Sequence, residues 1–328
     1  MGAERSFIYA KACGIIARSF VEGRLARCAG ITTLEELYTL TGESSAKASS
    51  GFEQAFRAKN VREIFSVVKA FPKPPEFIIY LIKSYECADL KYALAAHRAG
   101  LPLPSQTPLG RFASICFSAY PDISRMLKGT EYQFLLKEDL ERGDIADLET
   151  RIDRHYYAML LAGLRRIQRR ELPAFRYILN EEIALKNCVW ALRLRTYFTM
   201  DSAAVRNYLI DEKPSPGSAS LARDALKSLD FALDHRPDWL SWRRAGFLNQ
   251  EQPNSYWKCS PSAFQSNAAV YLYHLTRKSF RRQPFSLDTA ACFIRLKQFE
   301  EQVLCSIAEA LRLNVPAQDA LKMMGVPQ

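Results

Sequence analysis

The sequence predicts an all-α protein, and three observations carry that reading. Apolar residues recur at three- and four-residue steps along most of the chain, proline and glycine fall between those periodic stretches, and no stretch shows sustained two-residue alternation closed by hairpin turns. A chain of 328 residues with 48% apolar and 24% charged residues has an ordinary globular balance, and it is long enough to divide into two or three domains.

The chain is organised around Arg151 to Leu209, which reads as two long helices joined near Pro173. Ile152, Tyr156, Met159, Leu160, Gly163 and Ile167 share one face of the first, while Arg151, Arg154, Arg165 and Arg169 project from the other. The second reads from Glu181 to Arg195, with acids in its first turn and arginines in its last, as the helix dipole prefers, and with Leu192 in its core face.

In chain order, Phe7 to Cys28 reads as a helix, followed by Leu34 to Leu40 with Thr33 as its N-cap. Glu43 to Gly51 reads as a loop and Phe52 to Phe71 as a helix. Pro72, Pro74 and Pro75 end that helix and start the next, Glu76 to Ala99, which stops at Gly100. Leu101 to Pro108 holds three prolines and marks a first boundary, followed by expected helices at Phe112 to Leu127 and Glu131 to Glu141. A second boundary lies at Lys213 to Ser218. Helices are then expected at Leu221 to His235, Trp239 to Phe247, Asn267 to Arg282, Leu287 to Arg312 and Ala317 to Met324. The two boundaries predict domains at 1–108, 109–214 and 215–328.

The late helix of each third can be laid over the others, with Asp89, Asn187 and Val303 at equivalent positions. Together with Tyr9-Ala-Lys-Ala, the Lys83 to Lys91 block, the Gly143 to Tyr157 run, the Glu182 to Arg195 helix and the closing Arg295 to Glu309 block, this ordered set resembles the C-type stalk component of A/V-type rotary ATPases, whose eukaryotic V-ATPase counterpart is the d-type component. The chain departs from the family pattern at Glu86-x-x-Asp89, at Ala184, where the family carries an acid, and at Val303, where asparagine is common. The resemblance implies three similar helical domains in a pseudo-threefold funnel. It also implies a non-catalytic rotor part in the whole V/A-type ATPase complex, set between the membrane rotor ring (c/K subunits) and the central stalk subunits (D/F type) on the cytoplasmic face.

Charge and motifs fit that expectation. The net charge of +10 is spread, with one acidic island at 111–150, where Lys and Arg number 5 against 8 Asp and Glu. Arg165, Arg166, Arg169 and Arg170 form the most concentrated cationic patch and are the candidate ring or stalk interface. No nucleic acid is expected as a partner, because a concentrated basic stripe with interleaved aromatics is missing; a basic helical scaffold or nucleic-acid-associated protein is the alternative, suggested by a pI near 9.2.

Met1 to Ser6 carry no cationic leader before a long apolar run, so no secretory signal is expected. The longest interval without Asp, Glu, Lys or Arg, Cys259 to Thr276, is too polar to span a bilayer. The eight cysteines are scattered singly, which suggests a reducing compartment.

His97, His155, His235 and His274 fall singly, away from any zinc spacing, and neither dinucleotide nor P-loop glycine motifs occur, so no metal, cofactor or catalytic residue is expected. The acid pairs Glu138-Asp139, Glu181-Glu182 and Glu300-Glu301 read as solvated first-turn acids, since neighbours on a helix point about 100° apart. Trp239, Trp242 and Trp257 read as core, with an exposed aromatic lip as the alternative.

Overall fold

The computed structural model describes residues 2–43, 51–137, 140, 144–213, 217–251 and 256–324. Residues 44–50 of the expected loop at 43–51, the Glu138-Asp139 pair and residues 214–216 of the second boundary lie outside them. Among the described residues the chain is helical and has no strand, and no helix is long and apolar enough to cross a membrane.

The helices are α1 (Gly2–Ile16), α2 (Leu34–Thr41), α3 (Phe52–Val68), α4 (Glu76–Ile82), α5 (Ser84–Arg98), α6 (Ile123–Leu127), α7 (Ile145–Arg165), α8 (Pro173–Tyr197), α9 (Ser202–Arg206), α10 (Arg223–Ser228), α11 (Arg236–Trp239), α12 (Pro261–Arg282), α13 (Leu287–Arg312) and α14 (Ala317–Met323). Where end signals are strong, the sequence placed them well. Thr33 caps α2 by accepting from the Glu36 backbone N–H, and Glu36 reaches back, so two orphan donors are satisfied at once. The span expected for α13 is the one observed.

Elsewhere the expected helices are shorter, and each break has a cause. Phe7 to Cys28 is not one helix: α1 ends at Ile16 and two 3-10 turns follow, parted by Gly23 at φ +89°, a conformation that glycine adopts without steric strain. Glu76 to Ala99 divides at Lys83, whose buried ammonium is drawn to Ser114, Glu131 and Glu86. Phe112 to Leu127, and Glu131 to Glu141 in its described residues, are not long helices. Pro121 has no N–H to give a helix running through it, so only α6 forms, capped by Asp122, with 3-10 turns on either side.

Leu221 to His235 shrinks to α10; the helix expected at Trp239 to Phe247 is reduced to a 3-10 turn at 245–247, and α11 ends at Trp239, where that helix was expected to begin. There the indole N–H groups of Trp239 and Trp242 donate to the carbonyls of Ala232 and Asp224, acceptors that a continuous helix would use itself. Trp239, Trp242 and Trp257 are buried together with Phe231 and Phe264, so they form core and no lip. In the other direction, α12 starts at Pro261, six residues before the expected Asn267, because Ser260 caps it by accepting from Ala263 N.

Three apolar cores follow. The largest joins α1 and α3 to α7 with the first half of α8 and the first half of α13. The second gathers the latter half of α8, including the fully buried Leu192, around the tryptophans and α12. The third joins residues 20–40 and the start of α3 to the end of α13 and to α14, so segments from early and late in the chain share one core. The hub is therefore α13, which packs against α1, α2, α3, α4, α8, α12 and α14. In the central pair, the predicted face of α7 is largely buried and its arginines are exposed. Gly163 lets α4 approach so closely that a Cβ there would sit 3.3 Å from the Phe77 backbone.

Candidate interaction surface

The three helices that the sequence set equivalent, α5, α8 and α13, each hold a downstream or distant segment of backbone through a buried polar side chain. On α5, Glu86 accepts from the N–H groups of Ser114 and Ile115, and Asp89 accepts from Thr107 N at 2.7 Å. On α8, Asn187 accepts from Ile210 N at 2.8 Å and donates to the carbonyls of Ile210 and Leu221 at 3.0 and 3.1 Å. On α13, Glu300, at the place of Glu86, accepts from Phe20 N at 2.6 Å. At two of the three departures from the family pattern, Ala184 and Val303, the side chain is apolar and buried instead. Thr107 lies in the first stretch the sequence marked as a boundary, and Ile210 and Leu221 flank the second, where a buried backbone group needs a partner.

The Glu181-Glu182 and Glu300-Glu301 pairs are thus not solvated first-turn residues. α8 starts at Pro173, so Glu181 and Glu182 lie in mid-helix. Its N-terminus is served from α13: buried Asp288 accepts from Phe175 N at 2.7 Å and Ala174 N at 3.4 Å. Burial raises the Asp288 carboxyl above the usual range, and those donors pull it back. Glu181 forms a fork with buried Arg244 at 2.7 and 3.1 Å. Glu301 meets Arg57 Nε at 2.8 Å, the Tyr85 hydroxyl at 3.0 Å and Asn60 at 3.3 Å, knitting α3, α5 and α13. Buried Lys297 reaches Glu63 at 2.6 Å. None of these partners is near in sequence, which is why periodicity could not find them.

A second set of polar groups lies half-buried on the same three helices and on α7 and closes into a circuit. Lys91 on α5 meets Asp153 on α7 at 2.7 Å, and Asp153 meets Lys186 on α8 at 3.4 Å. The Lys186 ammonium stands 5.0 Å from the ring centres of Tyr157 and Trp190. The Tyr157 hydroxyl donates to Glu182 at 3.0 Å, and Arg295 on α13 reaches the same oxygen at 2.9 Å. Arg295 also donates to Gln298 at 2.8 Å, and Gln298 returns to Ser84 on α5 at 2.9 Å.

Two open hollows of about 240 and 280 Å³ adjoin this circuit, both lined by Glu182, Ala269 and Leu272. They make one groove walled by α8, α12 and α13, apolar along α12 and charged along its other side. Such a groove suits a helical partner with an apolar stripe and polar flanks.

The predicted cationic patch sits apart from the groove, at the corner between α7 and α8. Arg165 pairs with Glu212 at 3.2 Å and Arg166 pairs with Glu76, so two of the four are partly neutralised. Arg169 and Arg170 stand exposed on a 3-10 turn with no carboxylate partner among the described residues. Arg176 stiffens the corner by donating to the carbonyls of Leu164, in the last turn of α7, and Ile167, just past its end.

Among the described residues no cluster of His, Cys, Asp and Glu could hold a metal ion. His155 packs on Phe134 and Tyr132, and burial lowers its pKa from 6.5. A base with a depressed folded pKa gives stability that is present above 6.5 and lost as pH falls through the lowered value. The unfolding temperature should therefore fall as pH drops from about 7 toward 5. His155→Phe should remove that component; parallel curves for the two proteins would show that the imidazole is not the titrating group.

Residues 35–323 match the ATP synthase (C/AC39) subunit family. The chain is also 26% identical over 324 residues to an uncharacterized protein of Treponema pallidum (strain Nichols), a similarity that covers 93% of this chain and 92% of that protein.

Proposed function

The chain belongs to the ATP synthase (C/AC39) subunit family, and from that premise we propose that it is a non-catalytic central-stalk rotor subunit of a V/A-type ATPase. It couples the shaft of the ATP-hydrolysing head to the membrane ring that carries protons or sodium ions. The match across residues 35–323 carries this reading. The geometry supports it in two ways. A groove bounded by charge-paired helices offers a socket for a stalk helix. A hub helix, α13, gripped by buried ion pairs, resists deformation, as a part that passes torque must.

The division at 108 and 214 into three similar helical units in a funnel belongs to this proposal. It is supported by the shared anchoring role of Glu86, Asp89, Asn187 and Glu300. The cytoplasmic face of the membrane is the site of action, and the c/K ring and the D/F-type stalk subunits are the direct partners.

The exposed corner at Arg165, Arg166, Arg169 and Arg170 is the proposed ring contact. Reversing Arg165 and Arg169 to Glu should loosen the protein from purified rings at low salt and leave thermal unfolding nearly unchanged, since exposed pairs contribute about 0–1 kcal/mol. Wild-type retention should itself fall as the screening length shrinks from about 10 Å at 0.1 M salt to about 3 Å at 1 M. Full retention of the double variant would remove this corner from the interface. Failure to co-purify with any other ATPase component would remove the stalk role itself.

A further inference from the structure

A hollow of about 500 Å³ lies between α9, α10 and the turn at 241–243, away from both surfaces above. Its rim carries Arg206, Arg223, Lys227 and Arg243, with Asp224 and Asp230 as the acids. Those acids are already engaged. Asp224 is held by the buried guanidinium of Arg244, which also takes Glu181, and Asp230 sits 3.6 Å from Lys227. Arg243 stays 4.0 Å from both Asp224 and Glu181 with its side chain 66% exposed. Arg206 and Arg223 meet no carboxylate among the described residues and are exposed.

Five cations (Arg206, Arg223, Lys227, Arg243, Arg244) face three carboxylates (Glu181, Asp224, Asp230), leaving two positive charges around one concavity. The floor is fixed, because buried Trp242 donates its indole N–H to the Asp224 carbonyl at 2.9 Å. Ser241 adds an exposed hydroxyl to the rim.

We propose that this hollow binds a phosphate group, free or borne on a lipid headgroup. Guanidinium forks match phosphate oxygens two at a time, and a phosphate dianion balances the surplus charge that the protein's own acids leave. The buried Arg244 fork keeps Asp224 from folding outward to quench the rim, so the cations stay available to a ligand. Leu240, 64% exposed beside Ser241, gives the rim an apolar neighbour that a headgroup in a bilayer surface would meet and a free ion would not use.

The test uses the full chain at low ionic strength, with inorganic phosphate followed by calorimetry and with flotation on phosphatidylcholine vesicles containing phosphatidic acid. Arg206→Gln/Arg223→Gln should fold as the wild type does, since neither exposed side chain has a carboxylate partner to lose among the described residues. Its phosphate affinity should fall at least about tenfold, the loss expected for charge-assisted hydrogen bonds. Arg27→Gln/Arg62→Gln removes the same charge from exposed positions elsewhere and should change affinity less than about twofold. Loss of both flotation and phosphate binding in the hollow variant assigns the lipid source, and loss of phosphate binding with no wild-type flotation assigns free phosphate. Equal weakening in both variants, absence of saturable binding to either probe, or binding of a polyglutamate peptide alone overturns the proposal. None of these outcomes depends on the stalk role, which co-purification tests separately.

Discussion

Arg244→Leu is expected to destabilise the protein by about 3–5 kcal/mol, the cost of leaving buried carboxylates without their cation. Arg244 is buried and divided between Glu181 and Asp224, which join α8 to α10 through the turn at 241–244. Removing it strands two acids where water cannot solvate them fully. Arg243 is 4.0 Å from each and can recover part of the loss, so the lower end of the range is the expected value. Urea unfolding of Arg244→Leu should be compared with the triple variant Arg244→Leu/Glu181→Leu/Asp224→Leu. The triple variant should regain much of the stability, because a packed apolar set carries no charge to desolvate. A single variant that loses less than about 1 kcal/mol would mean that the carboxylates relax into solvent.

The contrast between Glu181 and its surroundings shows how far the sequence could be read. Helices with written ends, α2 with Thr33 and Glu36 or α13 with its long apolar period, were legible because their signals are local. The short pieces at 110–137 and 223–247 were not, because Pro121, Pro237 and the indole donors of Trp239 and Trp242 override an apolar period too short to decide between helix and turn.

The site divides in the same way. Arg165 to Arg170 were found because charge density is a property of the sequence itself. The circuit from Lys91 through Asp153, Lys186, Glu182 and Arg295 to Gln298 was not, since its members lie up to 207 residues apart (298 − 91) and each looks like one more polar helix residue. The repeat register, with Asp89 and Asn187 equivalent, was the one sequence signal that led toward it, by naming the helices on which the circuit rests.

On the proposed stalk role, Ala269→Trp is expected to weaken binding of the central-stalk subunits by roughly tenfold to a hundredfold while leaving thermal unfolding close to wild type, as occlusion of a well-packed docking site commonly costs about 2 kcal/mol or more. Ala269 lies on α12 and lines both hollows of the groove, of about 240 and 280 Å³, and it is half-buried. The core face of α12 is carried by other residues, Phe264, Ala268, Tyr273 and Thr276. A tryptophan at 269 therefore has open space to enter, and its bulk, roughly 150–250 Å² of surface, takes the place of whatever helix the groove receives. Ala269→Glu tests the electrostatic side of the same wall by adding an acid beside Glu182, which already shares Arg295. A partner that docks through acidic flanks should bind that variant less well, and more sharply so at low salt. Unchanged stalk binding by both variants would take the groove out of the interface, whereas a marked drop in unfolding temperature for Ala269→Trp alone would show that the ring had been forced into the packing between α8 and α12.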